Sequence, residues 1–169
     1  MIRTDRAHAC AFTGHRPERL GFPETETREW LESAINAAVR NGFTTFISGM
    51  QRGVDIWAAE IVLRLRSEGA PIRLVAACAF QGMEARWDIE WQERYRRILR
   101  CANEVHYIGE RPGTASFEKR NRWMVDHASR LIAVYCGMPG GTKRTIEYAK
   151  AEGIEVVEYK SIPIARSDL

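Results

Sequence analysis

The chain has 169 residues, 45% of them hydrophobic and 28% charged, which suits one domain with a substantial core and excludes a disordered or fibrous class. A net charge of +3 is too small to argue for DNA by itself, no apolar run reaches the ~20 residues that span a membrane, and the start Met1–Arg6 lacks the apolar core of a signal peptide. Cys10, Cys78, Cys101 and Cys136 stand far apart without a C-x-x-C pair, so the expectation is reduced thiols, no disulfide framework, no metal site and a cytoplasmic setting.

Strand-like and helix-like stretches alternate from end to end. Ala7–Thr13 reads as a first strand and Glu24–Asn41 as a helix, with Trp30, Leu31, Ala34, Ile35 and Ala38 on one face, Pro23 before it and Gly42 after it. Phe43–Ser48 is a second strand and Val54–Glu68 a strongly apolar helix closed by Gly69. Ile72–Phe80 is a third strand, a continuous apolar run of the kind buried on both faces. Trp87–Arg100 is a helix carrying Trp87, Trp91 and Tyr95 at intervals of four. Asn103–Ile108, Arg130–Cys136 and Ile154–Tyr159 complete the strands, and Ser116–His127 and Thr142–Glu152 the helices. Gly109–Ala115 is the longest irregular stretch and reads as a mobile loop. Strict alternation predicts an α/β fold: a Rossmann-like, doubly wound, mainly parallel sheet with helices on both faces. The domain spans residues 1–160, and residues 161–169 form a polar tail.

In such sheets ligands bind outside the carboxyl ends of the strands, and the least generic residues fall there. Thr13, Gly14, His15 and Arg16 follow the first strand. Ser48, Gly49, Gly53 and Asp55 follow the second. Gly140, Gly141 and Thr142 follow the fifth. Glycines let backbone amides approach an anion, and a following helix adds unpaired N–H groups and the positive end of its dipole. Thr142 suits a hydroxyl donor and N-cap. Asp55 suits a sugar hydroxyl, or equally the first turn of its helix. His15 is either a turn histidine or a ligand contact. The Trp87/Trp91/Tyr95 stripe reads as core packing and Arg94–Arg100 as a solvated helix face rather than a DNA groove.

Three motifs together carry a family resemblance: FTGHRP (Phe12–Pro17), SGMQRGVD (Ser48–Asp55) and RNRWMVD…LIAVYCGMPGGTKRTIEYA (Arg120–Ala149). They resemble the YpsA-like family of bacterial proteins, within the SLOG superfamily named for its Smf/DprA and LOG groups. The resemblance runs from about Phe12 to Tyr159 and implies a nucleotide, nucleotide sugar or related ligand. ADP-ribose and NAD-like molecules fall in that class, and no obligatory cofactor is implied. LOG members hydrolyse the N-glycosidic bond of cytokinin nucleoside monophosphates, and their signature is an arginine opening a helix, then P-G-G-x-G-T-x-x-E. Arg120 matches that arginine, Pro139, Gly140 and Gly141 the P-G-G, and Glu147 the glutamate. Lys143 and Arg144 replace the second G-T pair, which removes backbone freedom, adds two charges and weakens the case for hydrolase activity.

The resemblance therefore makes Arg120 and Glu147 candidate catalytic residues, both expected in the first turn of a helix facing one rim, with a structural Arg120–Glu147 ion pair as the alternative. It also implies a homo-oligomer, in which the apolar Val54–Leu65 stretch packs between subunits unless it serves an ordinary core. Three functions compete. Binding of a nucleotide-type small molecule, as a sensor or regulator, leads. A LOG-like phosphoribohydrolase follows. Single-stranded DNA binding of the DprA kind comes third, disfavoured by the modest charge.

Overall fold

The computed structural model describes residues 5–159. Its strands are β1 (Ala9–Gly14), β2 (Thr45–Ser48), β3 (Arg73–Cys78), β4 (Glu104–Tyr107), β5 (Arg130–Val134) and β6 (Glu155–Tyr159). They form one six-stranded sheet in the order β4-β3-β2-β1-β5-β6, and every neighbouring pair is parallel. The expected Rossmann-like sheet is what the chain builds. From β1 the chain winds outward to β4, then returns to the other side of β1 with β5. The crevice where winding reverses therefore opens at the carboxyl ends of β1 and β5, beside Gly14 and Val134, which are register partners.

The four inner strands β1, β2, β3 and β5 are buried on both faces, and their alternate side chains feed two separate cores. Cys10, Phe12, Phe46, Leu74, Ala76, Ile132 and Val134 face one side. There they meet helices α2 (Glu24–Arg40), α3 (Val54–Ser67) and α4 (Ile89–Cys101). Ala9, Ala11, Ile47, Val75, Ala77, Leu131 and Ala133 face the other, under α5 (Thr114–Asp126) and α6 (Gly141–Ala151). A short helix, α1 (Pro17–Leu20), precedes α2.

Helix α3 is flanked by α2 and α4 and lies against the central strands. Val54, Ile56, Trp57, Ala58, Ala59, Ile61 and Val62 are all buried within the chain. The apolar Val54–Leu65 stretch is accounted for by this central position, so it supplies no free face for a second subunit. Helix α4 begins at Ile89, so Trp87 stands in the turn before it rather than on it; the aromatic residues still pack together, Trp87 meeting Tyr95 edge-on at 5.4 Å and Trp91 meeting Trp57 at 6.3 Å.

Element ends differ from expectation where hydrogen bonding intervenes. Residues 6–8 form one turn of 3₁₀ helix capped by Asp5, so β1 starts at Ala9 rather than Ala7. The Phe43 N–H donates to the Ala38 carbonyl and closes α2, leaving β2 to begin at Thr45. Helix α5 starts at Thr114 and absorbs the end of the expected loop. The polar tail at 161–169 lies outside the described residues.

Candidate functional site

The turn after β2 is built by a buried serine and by close approaches at two glycines, Gly49 within it and Gly14 at the end of β1. Ser48, fully buried, donates its hydroxyl to the Asp55 carbonyl at 2.8 Å and accepts the Met50 N–H at 3.2 Å. These bonds hold the segment in a tight arch in which Met50 takes a positive φ of 62°. A Cβ on Gly49 would lie 2.8 Å from Arg120 Nη1 and 2.9 Å from Asp55 Oδ2. A Cβ on Gly14 would lie 2.5 Å from Val54 Cβ, because β1 runs directly under the start of α3. Both glycines are required by close approach.

The arch brings a buried carboxylate and a buried guanidinium to the floor of a cleft. Asp55 is 5% exposed and Arg120 4% exposed. Arg120 Nη1 donates to the Gly49 carbonyl and, at 3.5 Å, to that of Ala77, while its Nε donates to Asn121 Oδ1 at 2.8 Å. The guanidinium is thus anchored to the sheet edge rather than spent on the carboxylate. Asp55 Oδ2 accepts the Gln51 N–H at 3.3 Å, whereas Oδ1 is buried with no hydrogen-bond partner among the described residues. Burial pushes the Asp55 carboxyl up to about 6, against the opposing pull of Arg120 and of the Gln51 N–H. Burial also pulls the Arg120 guanidinium down, opposed by Asp55.

The cleft encloses about 290 Å³ and is lined by residues from five segments at the carboxyl edge. Thr13, Gly14, His15, Arg16 and Arg19 come from the end of β1 and from α1, and Gln51 and Asp55 from the arch. Thr114, Phe117, Arg120, Asn121 and Met124 come from α5, and Gly141, Thr142 and Arg144 from the first turn of α6. Four arginines thus surround one carboxylate. The N-cap of α6 is Gly140 (φ 144°) and not the expected Thr142, which is the second residue of the helix; no side chain caps the first N–H groups. His15, 4% exposed, stacks on Tyr135 at 5.7 Å, and its Nε2 is buried without a partner. Burial, then the nearby Arg19, lowers the His15 pKa and disfavours the charged ring.

Of the residues picked from sequence, Thr13, Gly14, His15, Arg16, Asp55, Arg120, Gly141 and Thr142 line this one cleft. Ser48, Gly49 and Gly53 lie behind it and shape the arch. A Cβ on Gly53 (φ 91°) would meet the His15 carbonyl at 2.8 Å. Gly140 stands at the α6 entry near Arg19. Glu147 lies elsewhere: its side chain is 63% exposed and pairs with Lys143 at 3.9 Å, with no ion pair to Arg120. The reason is helical geometry. Each is the seventh residue of its helix, in the second turn rather than the first; Arg120 falls on the buried face of α5, whereas α6 buries Thr142, Thr145, Ile146 and Ala149 and leaves Glu147 on its exposed face.

Sequence reasoning missed Arg19, Gln51, Thr114, Phe117, Asn121, Met124 and Arg144. Thr114 was findable, since α5 follows β4 and begins at the same edge. Arg19 depended on α1, four residues too short for a periodicity signal. Among the described residues no group of three or more His, Cys, Asp or Glu is arranged to hold a metal, and no helix is long and apolar enough to cross a membrane.

Comparison with known proteins places this chain in a family. The model of the YspA SLOG family (YpsA) matches residues 10–167. A "UPF0398 protein" of Bacillus thuringiensis (strain Al Hakam) is 32% identical over 168 residues, covering 94% of this chain and 91% of the relative. A Bacillus cereus (strain Q1) "UPF0398 protein" matches to the same extent. Among solved structures, DNA processing protein A (DprA) of Streptococcus pneumoniae superposes with a TM-score of 0.68 at 20% identity, over 94% of this chain and 52% of that one. The chain therefore spans about half the length of that structural relative. DprA of Helicobacter pylori, whose structure concerns its single-stranded DNA binding mode, gives 0.67 at 16% identity over 95% of this chain and 69% of that one. At such identities the likeness is one of fold. The family match across nearly the whole described sheet, and relatives of nearly equal length, lead to one conclusion: this chain belongs to the YspA SLOG family.

Proposed function

We propose that the chain binds a phosphate-bearing, nucleotide-type small molecule in the cleft at the carboxyl edge of its sheet. One observation carries the reading: Arg16, Arg19, Arg120 and Arg144 converge with the uncapped start of α6 on a single cleft whose one carboxylate is Asp55. Such a field favours an anion, and arginine with helix N–H groups suits phosphate geometry. Thr13 and Thr142, both buried and both lining the cleft, add hydroxyl donors. Binding without turnover is the form we favour, because a phosphoribohydrolase relying on Glu147 needs that carboxylate inside the cleft, and it stands outside.

A second reading has its own observation. The DprA structures share this fold, and one is described for its binding of single-stranded DNA. The same arginines would then hold a backbone phosphate. A cleft of about 290 Å³ is scaled to one small ligand rather than to a strand-length groove, which ranks this reading second.

The test is a thermal-shift screen of the purified protein against nucleoside mono-, di- and triphosphates, ADP-ribose, NAD and short oligodeoxynucleotides, with chromatography for released base. A ligand present at about a hundred times its Kd stabilises the fold by about 2.7 kcal/mol. For a chain of this size that raises Tm by about 5–11 °C. A shift with a mononucleotide or dinucleotide and no free base supports the reading. A shift with oligodeoxynucleotides alone favours the second reading, and free base establishes hydrolysis.

A further inference from the structure

The amide of Asn121 is held in one orientation by its neighbour in the chain. Arg120 Nε donates to Asn121 Oδ1 at 2.8 Å. A guanidinium carries donors only, so the amide oxygen faces Arg120 and the NH2 group points away from it. That NH2 makes no hydrogen bond among the described residues, yet it is not one of the unpaired side-chain atoms sealed from solvent. Asn121 lines the cleft, and a Cβ on Gly141 would lie 3.8 Å from Asn121 Nδ2. The amide donors therefore stand open beside the first residue of α6, whose first N–H groups no side chain caps. Arg120 is spent in a similar way. Its Nη1 donates to the Gly49 and Ala77 carbonyls and its Nε to Asn121. Nη2 is the end that bonds nothing among the described residues, on a side chain 4% exposed that lines the same cleft, and it too is not sealed from solvent.

We infer that Asn121 is a ligand-contacting residue, its NH2 oriented by Arg120 so that it donates to the anionic group of the ligand where α5 meets the start of α6. The inference rests on the anion-binding reading above and places the anion within the cleft. A side-chain amide left to itself can turn over and present its oxygen, which repels an anion. Here that turn would set the NH2 against the Arg120 Nε–H, donor against donor, so the bond at 2.8 Å keeps the donors toward the cleft. The Asn121 amide, the Arg120 guanidinium and the first N–H groups of α6 then form a set made only of donors. A group whose outer atoms all accept, such as a phosphoryl group, satisfies such a set, whereas an ammonium does not. Asp55, the one carboxylate of the cleft, comes from a different wall, the first turn of α3.

The experiment titrates inorganic phosphate and pyrophosphate into the full chain by calorimetry, in low salt and again at about 0.5 M salt, where repulsion between separated exposed charges is largely screened. Two variants are compared with wild type, each checked for folding by circular dichroism and thermal unfolding. Asn121→Asp keeps an oxygen for Arg120 Nε and replaces the NH2 by a second acceptor. It should unfold at or above the wild-type temperature, because a carboxylate accepts from a guanidinium at least as well as an amide does. Its affinity for the better-bound probe should fall about ten- to a hundredfold, the scale of a lost hydrogen bond to a charged group, and the loss should persist at high salt. Asn121→Ala, which adds no charge, should lose about tenfold at both salt concentrations. Wild-type affinity at high salt in either folded variant overturns the contact and leaves anion binding standing. That result in Asn121→Asp with a loss in Asn121→Ala would reduce Asn121 to a support for Arg120. Failure of both probes to bind wild type overturns the inference together with the reading beneath it.

Discussion

Replacing Asp55 by asparagine should stabilise the ligand-free protein at neutral and alkaline pH. The carboxyl ordinarily titrates at 3.8, and burial raises it to about 6 in the folded chain. A group with a raised folded pKa holds its proton more tightly when folded. Its contribution to stability is therefore complete below the unfolded value and is lost as pH rises through about 6. The gap between 3.8 and about 6 corresponds to about 3 kcal/mol of ionisation cost above that pH. Water entering the cleft reduces this, so about 1–3 kcal/mol is the expected gain for an asparagine that mimics the neutral acid. The assay is urea unfolding of wild type and Asp55→Asn at pH 4, 6 and 8. Taking the difference at each pH cancels the other carboxylates, which titrate alike in both proteins. The variant should match wild type near pH 4 and exceed it by the full amount at pH 8. An Asp55→Asn protein that is less stable at pH 8, or a difference independent of pH, would refute the reasoning. It would make Asp55 a structural partner of the Gln51 N–H and of Arg120. The predicted gain is what a binding carboxylate held at a cost in stability should show.

Gly49→Ala places a Cβ 2.8–2.9 Å from Arg120 and Asp55 and should cost about 1–3 kcal/mol in urea unfolding while weakening ligand binding in the same protein. Arg144→Ala removes a half-exposed cleft-wall charge that pairs with Glu118 at 3.8 Å. Phosphate-ligand affinity should fall about three- to tenfold and become less salt-dependent, with stability unchanged within about 0.5 kcal/mol. In a native thiol assay Cys101 should react fast and Cys136 more slowly. Cys10 and Cys78, both buried with their pKa values raised by burial, should react only on unfolding.

The fold was legible because its signals are local. Each strand is a short apolar run and each long helix carries a repeating apolar face, and their strict alternation leaves few ways to wind a parallel sheet. The rim was legible for the same reason. Thr13 to Arg16 lie at the end of β1, and Asp55, Gly141 and Thr142 in the first turn of the helix that follows a strand, and parallel strands put all such residues on one edge. Periodicity could also show that Val54–Leu65 is apolar, but not what covers it. That answer lies in the strand order, which seats α3 between α2 and α4.

What sequence determined by itself was the class of fold and the sheet edge on which the rim residues gather, since each follows from residue type and order along the chain. What only tertiary structure decided was which rim residues share a wall. Glu147 matched a family motif without a gap, yet the rotation of α6 carries it to the outside, paired with Lys143. Sequence read Asp55 equally as the start of a helix or as a contact; only the structure shows it buried in the first turn of α3 with Oδ1 unpaired, while Arg120, 65 positions along the chain, is bound to the Gly49 carbonyl. A strand-to-helix turn fixes where a residue begins, while burial, pKa and partnership depend on groups that arrive from distant parts of the chain.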